Sequence, residues 1–329
     1  MLAFKLPALI ALLPILGMAQ GAANLPVPPQ GFDMRQAGAA QGAVTLITYQ
    51  TKNHGQQKAR VYTPPGYAKD KQYPTLYLLH GIGGNENEWY DQGAPHIILD
   101  NLLAKNLVKP MVMVLPNGKM TGSDDFQRFA NFGPVLLEEL IPYIEANYSV
   151  SKERSQRALA GLSMGGGQSL NFGMGNIDVF SHVGGFSSAP NTIAAGQTIK
   201  DPAAAKKEMD FIFIACGDKD GLLGNSKNYH DWLTTQGIPH MYQIEPGEAH
   251  TFIVWKRSLY NFSQRIFTGA STGLAGRGGD PLLGRTGIGA VRIPAASRFT
   301  IARPHADGGV GSFDAFIADG KIVSAGSKR

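Results

Sequence analysis

The sequence has a single cysteine, little charge and no long apolar run, and each shortage excludes a class of protein. Cys216 is the only cysteine among 329 residues, so the chain can form no disulfide bond within itself. Charged residues make up 17 % of the chain, and the net charge of +5 is scattered, which does not predict a nucleic-acid partner. No stretch reaches the roughly 20 apolar residues that a membrane-spanning helix requires. We therefore expect a soluble protein without membrane insertion.

The first 23 residues have the pattern of a cleaved secretion signal. Lys5 supplies one positive charge, an apolar run follows from 6 to 18, and small residues come next at Ala19, Ala22 and Ala23. A short apolar segment between a positive charge and small residues is typical of a signal peptide. We therefore predict a signal peptide at residues 1–23 and a secreted protein, either extracellular or periplasmic.

Composition divides the rest of the chain into four segments. Residues 24–44 are rich in Pro, Gly, Ala and Gln, which predicts a linker. Residues 45–268 form the main domain. Residues 269–289 are rich in Gly, Ala, Ser and Thr, as flexible linkers are. Residues 290–329 contain short alternating runs that predict a small β appendage of unknown role.

Strand-like and helix-like segments alternate through the main domain. Short apolar runs predict strands buried on both faces, at 75–79, 111–115, 157–160, 182–186, 211–215 and 240–244. The segments between them that predict helices are 132–148, 164–172, 226–236 and 255–267. This alternation predicts an α/β fold with a mainly parallel sheet and helices on both faces.

The pentapeptide Gly161-Leu-Ser-Met-Gly165 is the strongest chemical signal in the sequence. It follows a strand-like run and precedes a helix-like one, which is the context in which G-x-S-x-G carries a nucleophile. The flanking glycines let the backbone turn sharply, and the helix directs N–H groups at developing negative charge. We therefore predict that Ser163 is the nucleophile.

A serine hydroxyl needs a base, and four histidines follow Ser163 within the main domain. His182 and His240 begin strands, which is the wrong end for catalysis, and His230 lies within a helix-like segment. His250 comes after a strand and a short loop, which is where enzymes with a G-x-S-x-G serine on a strand-to-helix turn place their base. We therefore predict His250 as the base.

The acid is expected in the loop after the strand at 211–215, which offers two carboxylates. Asp218 is close to the strand end, where an Asp side chain commonly forms a turn with the backbone ahead of it. Asp220 is farther out and better able to reach His250. We favour Asp220 as the acid that orients the imidazole, with Asp218 as the alternative.

Two backbone N–H groups must stabilise the oxyanion. One comes from the residue after the nucleophile, which is Met164. The other should come from the Gly-rich loop at 80–84, which follows an early strand. Ile82 N–H is the first choice and Gly81 N–H the second, and His80 is then a residue that shapes the loop.

Six stretches carry the motifs of one hydrolase family: ARVYTPPGY at 59–67, LYLLHGIGG at 76–84, LIPYIE at 140–145, AGLSMGGGQ at 160–168, IACG at 214–217 and VWK at 254–256. Over residues 43–268 the chain resembles the feruloyl esterases of the esterase D-like α/β-hydrolase family, especially esterase domains attached to bacterial xylanases. The resemblance places the family's acid at Asp220 and its base at His250. The family usually has Asp after this histidine, whereas Thr251 stands here, which bears on loop hydrogen bonds and pH optimum.

The resemblance implies a serine carboxylesterase that uses no cofactor or metal. Its expected substrates are feruloyl esters on arabinoxylan polysaccharide or oligosaccharide, cleaved through an acyl-enzyme on Ser163. Trp89 follows the Gly-rich loop at 80–84, here called the oxyanion loop, and has two interpretations: contact with an aromatic acyl group or packing in the core.

Other functions use the same residues. Acetyl-xylan esterases, siderophore esterases, S-formylglutathione hydrolases and acyltransferases such as mycolyltransferases share such a triad, although the signal peptide disfavours the normally cytosolic S-formylglutathione hydrolase. A non-catalytic carbohydrate-binding protein is a further alternative, which the complete set of Ser163, Asp220 and His250 disfavours. The histidines lack the H-x-x-x-H spacing of a metal-dependent hydrolase. The sequence does not determine the oligomeric state.

Overall fold

The computed structural model describes residues 25–268 and three strands at 296–304, 310–318 and 321–327. The predicted signal peptide at 1–23 and the Gly-rich linker at 269–289 lie outside the described residues. Within the described residues, none of the helices combines the length and apolar character needed to cross a membrane.

Eight strands form the central sheet: β1 Ala43–Gln50, β2 Gln56–Thr63, β3 Thr75–Leu79, β4 Val112–Pro116, β5 Arg157–Leu162, β6 His182–Phe186, β7 Phe211–Gly217 and β8 Met241–Glu245. Their order across the sheet is β1-β2-β4-β3-β5-β6-β7-β8. β1 and β2 pair antiparallel at one edge, and all strands from β4 to β8 run parallel. The predicted mainly parallel sheet is confirmed.

The helices are α1 Pro95–Ala104, α2 Asp125–Ala130, α3 Phe132–Val135, α4 Ile141–Asn147, α5 Ser163–Gly175, α6 Ala195–Thr198, α7 Pro202–Glu208, α8 Leu223–Thr235 and α9 Phe252–Ser263. A π-helical turn, Leu136–Leu140, joins α3 to α4, so helical backbone runs through most of the segment predicted as one helix. A second π-helical turn is Trp89–Gly93, and a 3₁₀ turn is Arg154–Gln156.

The two faces of the sheet bury separate apolar cores. In β3, Leu76 and Leu78 belong to one core, while Tyr77 and Leu79 belong to the other, because successive side chains of a strand point to opposite faces. Residues of α1 and α9 cover the first face, and residues of α4, α5 and α8 cover the second. Burying each such leucine stabilises the fold by about 2 kcal/mol, which explains the continuous apolar strands.

Residues 25–42 pack on the domain, although their composition predicted a linker. Phe32 is buried in the core and meets Tyr260 edge to face, with ring centroids 5.4 Å apart. Asn101 Nδ2 donates to the Phe32 carbonyl at 2.8 Å, and Asp33 forms an ion pair with Lys256. These contacts make the segment part of the domain, and β1 begins at Ala43, inside the predicted linker.

The three remaining strands, β9 Ala296–Pro304, β10 Val310–Ala318 and β11 Lys321–Ser327, form an antiparallel sheet in the order β11-β10-β9. The C-terminal segment has four alternating runs, and those at 299–302, 313–317 and 321–323 lie in these strands. The first run, at 290–293, lies outside the described residues.

Candidate active site

Ser163 lies on a sharp turn between β5 and α5. Its φ of +52° is in the left-handed region, which side-chain-bearing residues rarely adopt. A Cβ atom on Gly165 would lie 2.4 Å from the His80 carbonyl oxygen, and one on Gly161 would lie 2.5 Å from the Gly165 carbonyl carbon. Both glycines are therefore required by the close approach of neighbouring backbone, as a nucleophile elbow demands.

The structure brings the three predicted side chains together in one hydrogen-bonded chain. His250 Nε2 is 3.0 Å from Ser163 Oγ, and His250 Nδ1 is 2.8 Å from Asp220 Oδ2. The Asp220 side chain has no exposed area and that of His250 is 12 % exposed. This arrangement fixes the imidazole so that Nε2 faces the serine hydroxyl, which is the geometry needed to activate Ser163.

Asp220 is held in its charged form by the groups around it. Burial alone would raise its pKa, but His250, the Leu222 N–H and the Ser187 hydroxyl outweigh burial and lower the pKa of Asp220 below its ordinary value. The Leu222 N–H donates to Asp220 Oδ1 at 2.8 Å. The carboxylate therefore has a backbone donor on one oxygen and the imidazole on the other.

Asp218 makes a different contact. Its Oδ1 accepts the Gly247 N–H at 2.7 Å, and its own N–H donates to the Glu245 carbonyl at 3.1 Å. Asp218 therefore joins the loop after β7 to the loop after β8, whereas Asp220 contacts His250.

In the oxyanion loop, the N–H of Ile82 rather than that of Gly81 is available to stabilise the oxyanion. The Gly81 N–H donates to Glu88 Oε2 at 2.7 Å, so it is already occupied. The Gly84 N–H donates to the Gly81 carbonyl at 3.1 Å, and the φ of +74° at Gly83 completes a tight turn. Within the described residues, the Ile82 N–H has no acceptor. It is thus available as the first oxyanion donor.

Met164 is the second residue of α5, and the first four N–H groups of a helix lack acceptors within it. Its N–H is therefore available as the second oxyanion donor. Asn191 Nδ2 donates to the Met164 carbonyl at 2.8 Å, which belongs to the next peptide group, and so holds Met164 on its carbonyl side. Nothing in the sequence singled out Asn191, because its loop is far from the pentapeptide along the chain.

His80 is buried under the oxyanion loop. Its Nδ1–H donates to the Gly81 carbonyl at 2.8 Å, and its Nε2 accepts the Gly118 N–H at 2.8 Å. Burial lowers the pKa of His80 to about 4, so the imidazole is neutral at pH 7. These bonds hold the loop in place, as expected for a residue that shapes it.

Trp89 packs in the core, which is the second of its two readings. It is 1 % exposed, its Nε1–H donates to the Leu79 carbonyl at 2.9 Å, and its ring meets Phe186 and Phe252 edge to face. The predicted contact between Trp89 and an acyl group is therefore wrong. A side chain so enclosed by the core cannot present a ring to substrate.

An aromatic ring does contact the predicted base. Trp255 meets the His250 imidazole edge to face, with ring centroids 4.9 Å apart. Trp255 lies in the VWK stretch at 254–256 that matches the family motifs, so the sequence contained a signal for this residue.

A small apolar cluster lies beside the serine. Phe129, Met164, Ala189 and Leu222 are all buried, and the partly buried Ile82 packs against them. Because Met164 follows Ser163 and Leu222 follows Asp220 by two residues, this cluster adjoins the reacting atoms.

The other downstream histidines are engaged elsewhere. His182 Nε2 accepts the Phe267 N–H at 3.1 Å, and burial lowers the pKa of His182 to about 3. His230 Nδ1 and His240 Nε2 are 2.7 Å apart and bond to each other. Among these histidines and His250, it is His250 whose ring nitrogen bonds to Ser163 Oγ.

Comparison with known proteins places these observations in a family. A family model described as putative esterase matches residues 52–255. The chain belongs to this esterase family. It is 33 % identical over 255 residues to an endo-1,4-beta-xylanase/feruloyl esterase of Xylanibacter ruminicola, covering 74 % of this chain and 34 % of that protein. The chain thus spans about one third of that relative's length.

A further relative and a solved structure similar to this chain are also esterases. It is 26 % identical over 194 residues to an acetyl esterase of Caldicellulosiruptor saccharolyticus, covering 57 % of this chain and 70 % of that protein. The solved structure of a ferulic acid esterase from Anaeromyces mucronatus is 28 % identical, with a TM-score of 0.67 over 75 % of this chain and 98 % of that one. The predicted α/β-hydrolase fold and esterase family are confirmed, and the chain is an esterase-family enzyme.

Proposed function

We propose that this protein is a secreted serine carboxylesterase that hydrolyses feruloyl and related hydroxycinnamoyl esters of arabinoxylan. The observation that carries the proposal is the hydrogen-bonded chain from Asp220 through His250 to Ser163. The similarity to a xylanase/feruloyl esterase and to a ferulic acid esterase supports the choice of acyl group.

The geometry supports two-step acyl transfer. Ser163 Oγ attacks the ester carbonyl while its proton passes to His250 Nε2, and the carbonyl electron pair moves to the oxygen, which Ile82 N–H and Met164 N–H stabilise. As the C–O bond breaks, His250 returns the proton to the leaving alcohol, and the acyl group remains on Ser163. A water molecule then repeats the sequence and releases the acid. Asp220 stays ionised throughout and stabilises the imidazolium.

The surroundings of Ser163 support an apolar acyl group. The partly buried Ile82 offers apolar surface next to the nucleophile, and the buried cluster of Phe129, Met164, Ala189 and Leu222 supports it from beneath. A hydroxycinnamoyl group would bury more of its own surface there than an acetyl group, and burial of apolar area contributes about 25 cal/mol per Å². Export through the N-terminal signal would deliver the enzyme to an extracellular polysaccharide.

Hydrolysis of acetyl esters is the second candidate, because the chain is also similar to an acetyl esterase. One purified preparation assayed on methyl ferulate, methyl caffeate, methyl sinapate and 4-nitrophenyl acetate separates the two. We expect the highest kcat/KM on a hydroxycinnamate. A preparation that hydrolyses only the acetate would replace the proposed acyl group.

Replacement of the nucleophile tests the mechanism itself. Ser163→Ala should remove nearly all turnover and leave the melting temperature close to that of the wild type, because only one small polar atom is lost. A fluorophosphonate should label the wild type at Ser163, as located by peptide mass spectrometry. Labelling of a different serine would contradict the assignment.

A further inference from the structure

A pocket of about 430 Å³ opens beside the oxyanion loop and has no part in the steps above. Residues of the loop 117–122 line it, together with Gln57 from β2 and Arg128 from α2. Its volume lies in the range of sites that bind small molecules, about 300–1,000 Å³.

The pocket and Ser163 lie at the same edge of the sheet. The loop 117–122 follows β4, and the oxyanion loop and Ser163 follow β3 and β5, which run parallel to β4. Since β3 separates β4 from β5 and neighbouring strands are about 4.8 Å apart, the pocket loop starts roughly 10 Å from the nucleophile. The Gly118 N–H bonds to His80 Nε2, which joins the two loops directly. One substrate molecule can therefore occupy both places.

The pocket carries positive charge without an equal negative charge. Lys119 is half-buried, and no carboxylate pairs with its ammonium among the described residues. Arg128 has one carboxylate partner, Asp125, at 3.3 Å, and its Nε donates to the Gly122 carbonyl. Asp124 is turned to the helix, where its Oδ1 accepts the Gln127 N–H. A half-buried ammonium with no counter-charge favours an anionic ligand.

The walls of the pocket are fixed before any ligand binds. The Asn117 N–H donates to the Lys58 carbonyl at 2.9 Å, and Asn117 Nδ2 donates to Gln57 Oε1 at 3.3 Å. On the other side, the Met120 N–H donates to the Arg128 carbonyl at 3.0 Å. A site that is already ordered loses little conformational entropy when a ligand binds.

We propose that this pocket binds the carboxylate of a uronic acid sugar on the polysaccharide that carries the ester. The proposal rests on the proposed function, since it takes the substrate to be a cell-wall polysaccharide. Lys119 and Arg128 would bind the carboxylate, whereas the Thr121 hydroxyl and the amides of Asn117 and Gln57 bond to His54 or to each other and shape the walls. A neutral sugar would cover Lys119 without supplying a counter-charge.

The test compares two feruloylated xylo-oligosaccharides that differ only in one glucuronate substituent. We expect the wild type to have a kcat/KM about fivefold higher for the acidic substrate, and Lys119→Met to bring this ratio close to one. Lys109→Met is the matched control, because it removes the same charge. Lys109 is exposed and precedes strand β4, at the end opposite to Lys119. This control should keep the wild-type ratio, and Lys119→Arg should keep most of it.

A ratio near one in the wild type, or an unchanged ratio in Lys119→Met, would overturn the proposal. A second measurement needs no hydrolysis: calorimetric binding of a glucuronate-bearing xylo-oligosaccharide without ester, with and without Lys119→Met. Binding that Lys119→Met weakens supports the pocket even if no hydroxycinnamoyl ester is cleaved, in which case the proposed function alone fails. Absence of binding while methyl ferulate is hydrolysed overturns the pocket alone.

Discussion

At the scale of single residues, the two aspartates after β7 divide two tasks between them. Asp220 contacts the imidazole of His250, whereas Asp218 bonds to the Gly247 backbone in the next loop. Asp220→Asn should lower kcat by about 10⁴-fold, because an amide that donates to Nδ1 selects the unproductive tautomer of His250. Steady-state kinetics on methyl ferulate measures this change.

Asp218→Asn is the control for that prediction. It keeps the shape of the side chain and weakens one hydrogen bond, so we expect a loss of roughly 1 kcal/mol in stability and little change in kcat. Thermal melts and kinetics on the same samples distinguish the two. A large loss of kcat in Asp218→Asn, with an active Asp220→Asn, would exchange the assignments.

Thr251 differs from the Asp that the family usually has after its histidine. It is the N-cap of α9, yet its side chain makes no capping hydrogen bond. Thr251→Asp should stabilise the protein by about 1 kcal/mol, since Asp is a strong N-cap and its charge suits a helix N-terminus. The added carboxylate beside His250 also favours the imidazolium, so the acidic limb of kcat/KM should move to higher pH.

Thr251→Asn separates these two effects, because Asn caps a helix without adding charge. It should raise the melting temperature and leave the pH profile in place. If Thr251→Asp and Thr251→Asn shift the profile equally, charge is not the cause.

The sequence predicted Ser163, His250 and Asp220 as partners, because nucleophile, acid and base come in a fixed order along the chain, each after a strand. It did not decide between the two readings of Trp89, nor did it single out Asn191. Both depend on which residues from distant parts of the chain meet at one point, and a single sequence does not encode that as a local pattern.

At the scale of secondary structure elements, the turn between β5 and α5 is the most constrained. Gly165→Ala would place a Cβ 2.4 Å from the His80 carbonyl oxygen, a backbone atom that cannot rotate away. We expect a loss of roughly 1–3 kcal/mol in stability and a displaced Ser163, and therefore a large loss of kcat. Denaturant unfolding and kinetics measure both.

Gly175→Ala is the matched change at the other end of α5. There the nearest atom to the new Cβ is a Thr198 methyl at 3.6 Å, an ordinary contact. Because alanine is the better helix former, this variant should keep full activity and equal or slightly exceed the wild type in stability. Equal damage at both positions would show that close approach at the turn is not the reason for Gly165.

Elements with continuous apolar sequence were predicted well, and those without it were not. Segment 182–186 matches β6 at both ends, and the predicted run at 75–79 matches β3. β1 and β2 were not predicted, because much of their side-chain surface faces solvent and their sequences contain many polar residues. Pairing with β4 makes β2 a strand, and that pairing is a tertiary contact.

At the scale of the whole molecule, we predict that the catalytic domain ends at Thr268. The proposed catalytic side chains all precede this residue, and Ile266 and Phe267 are the last buried residues in the part of the chain whose burial is described, 25–268. A chain that ends at Thr268 should therefore keep the wild-type kcat/KM on methyl ferulate and the wild-type melting temperature.

A chain that ends at Gln264 is the control. It lacks Phe267, whose ring meets His182 edge to face with centroids 4.9 Å apart. Loss of such a buried aromatic costs roughly 3–5 kcal/mol, so this shorter chain should melt well below the longer one. If the chain ending at Thr268 is already inactive on methyl ferulate, the C-terminal segment belongs to the active domain.

The sequence by itself determined the fold class, the nucleophile turn and the order of the catalytic residues. Each is encoded by local sequence: by apolar runs, by glycines that permit close approach, and by the position of a residue relative to a strand end. Only the tertiary structure decided that Gly81 is occupied by Glu88, that residues 25–42 pack on the domain and that Lys119 lies in a pocket near the oxyanion loop. These facts depend on burial and hydrogen bonding between segments far apart in the chain, and those become definite only when the whole sheet has assembled.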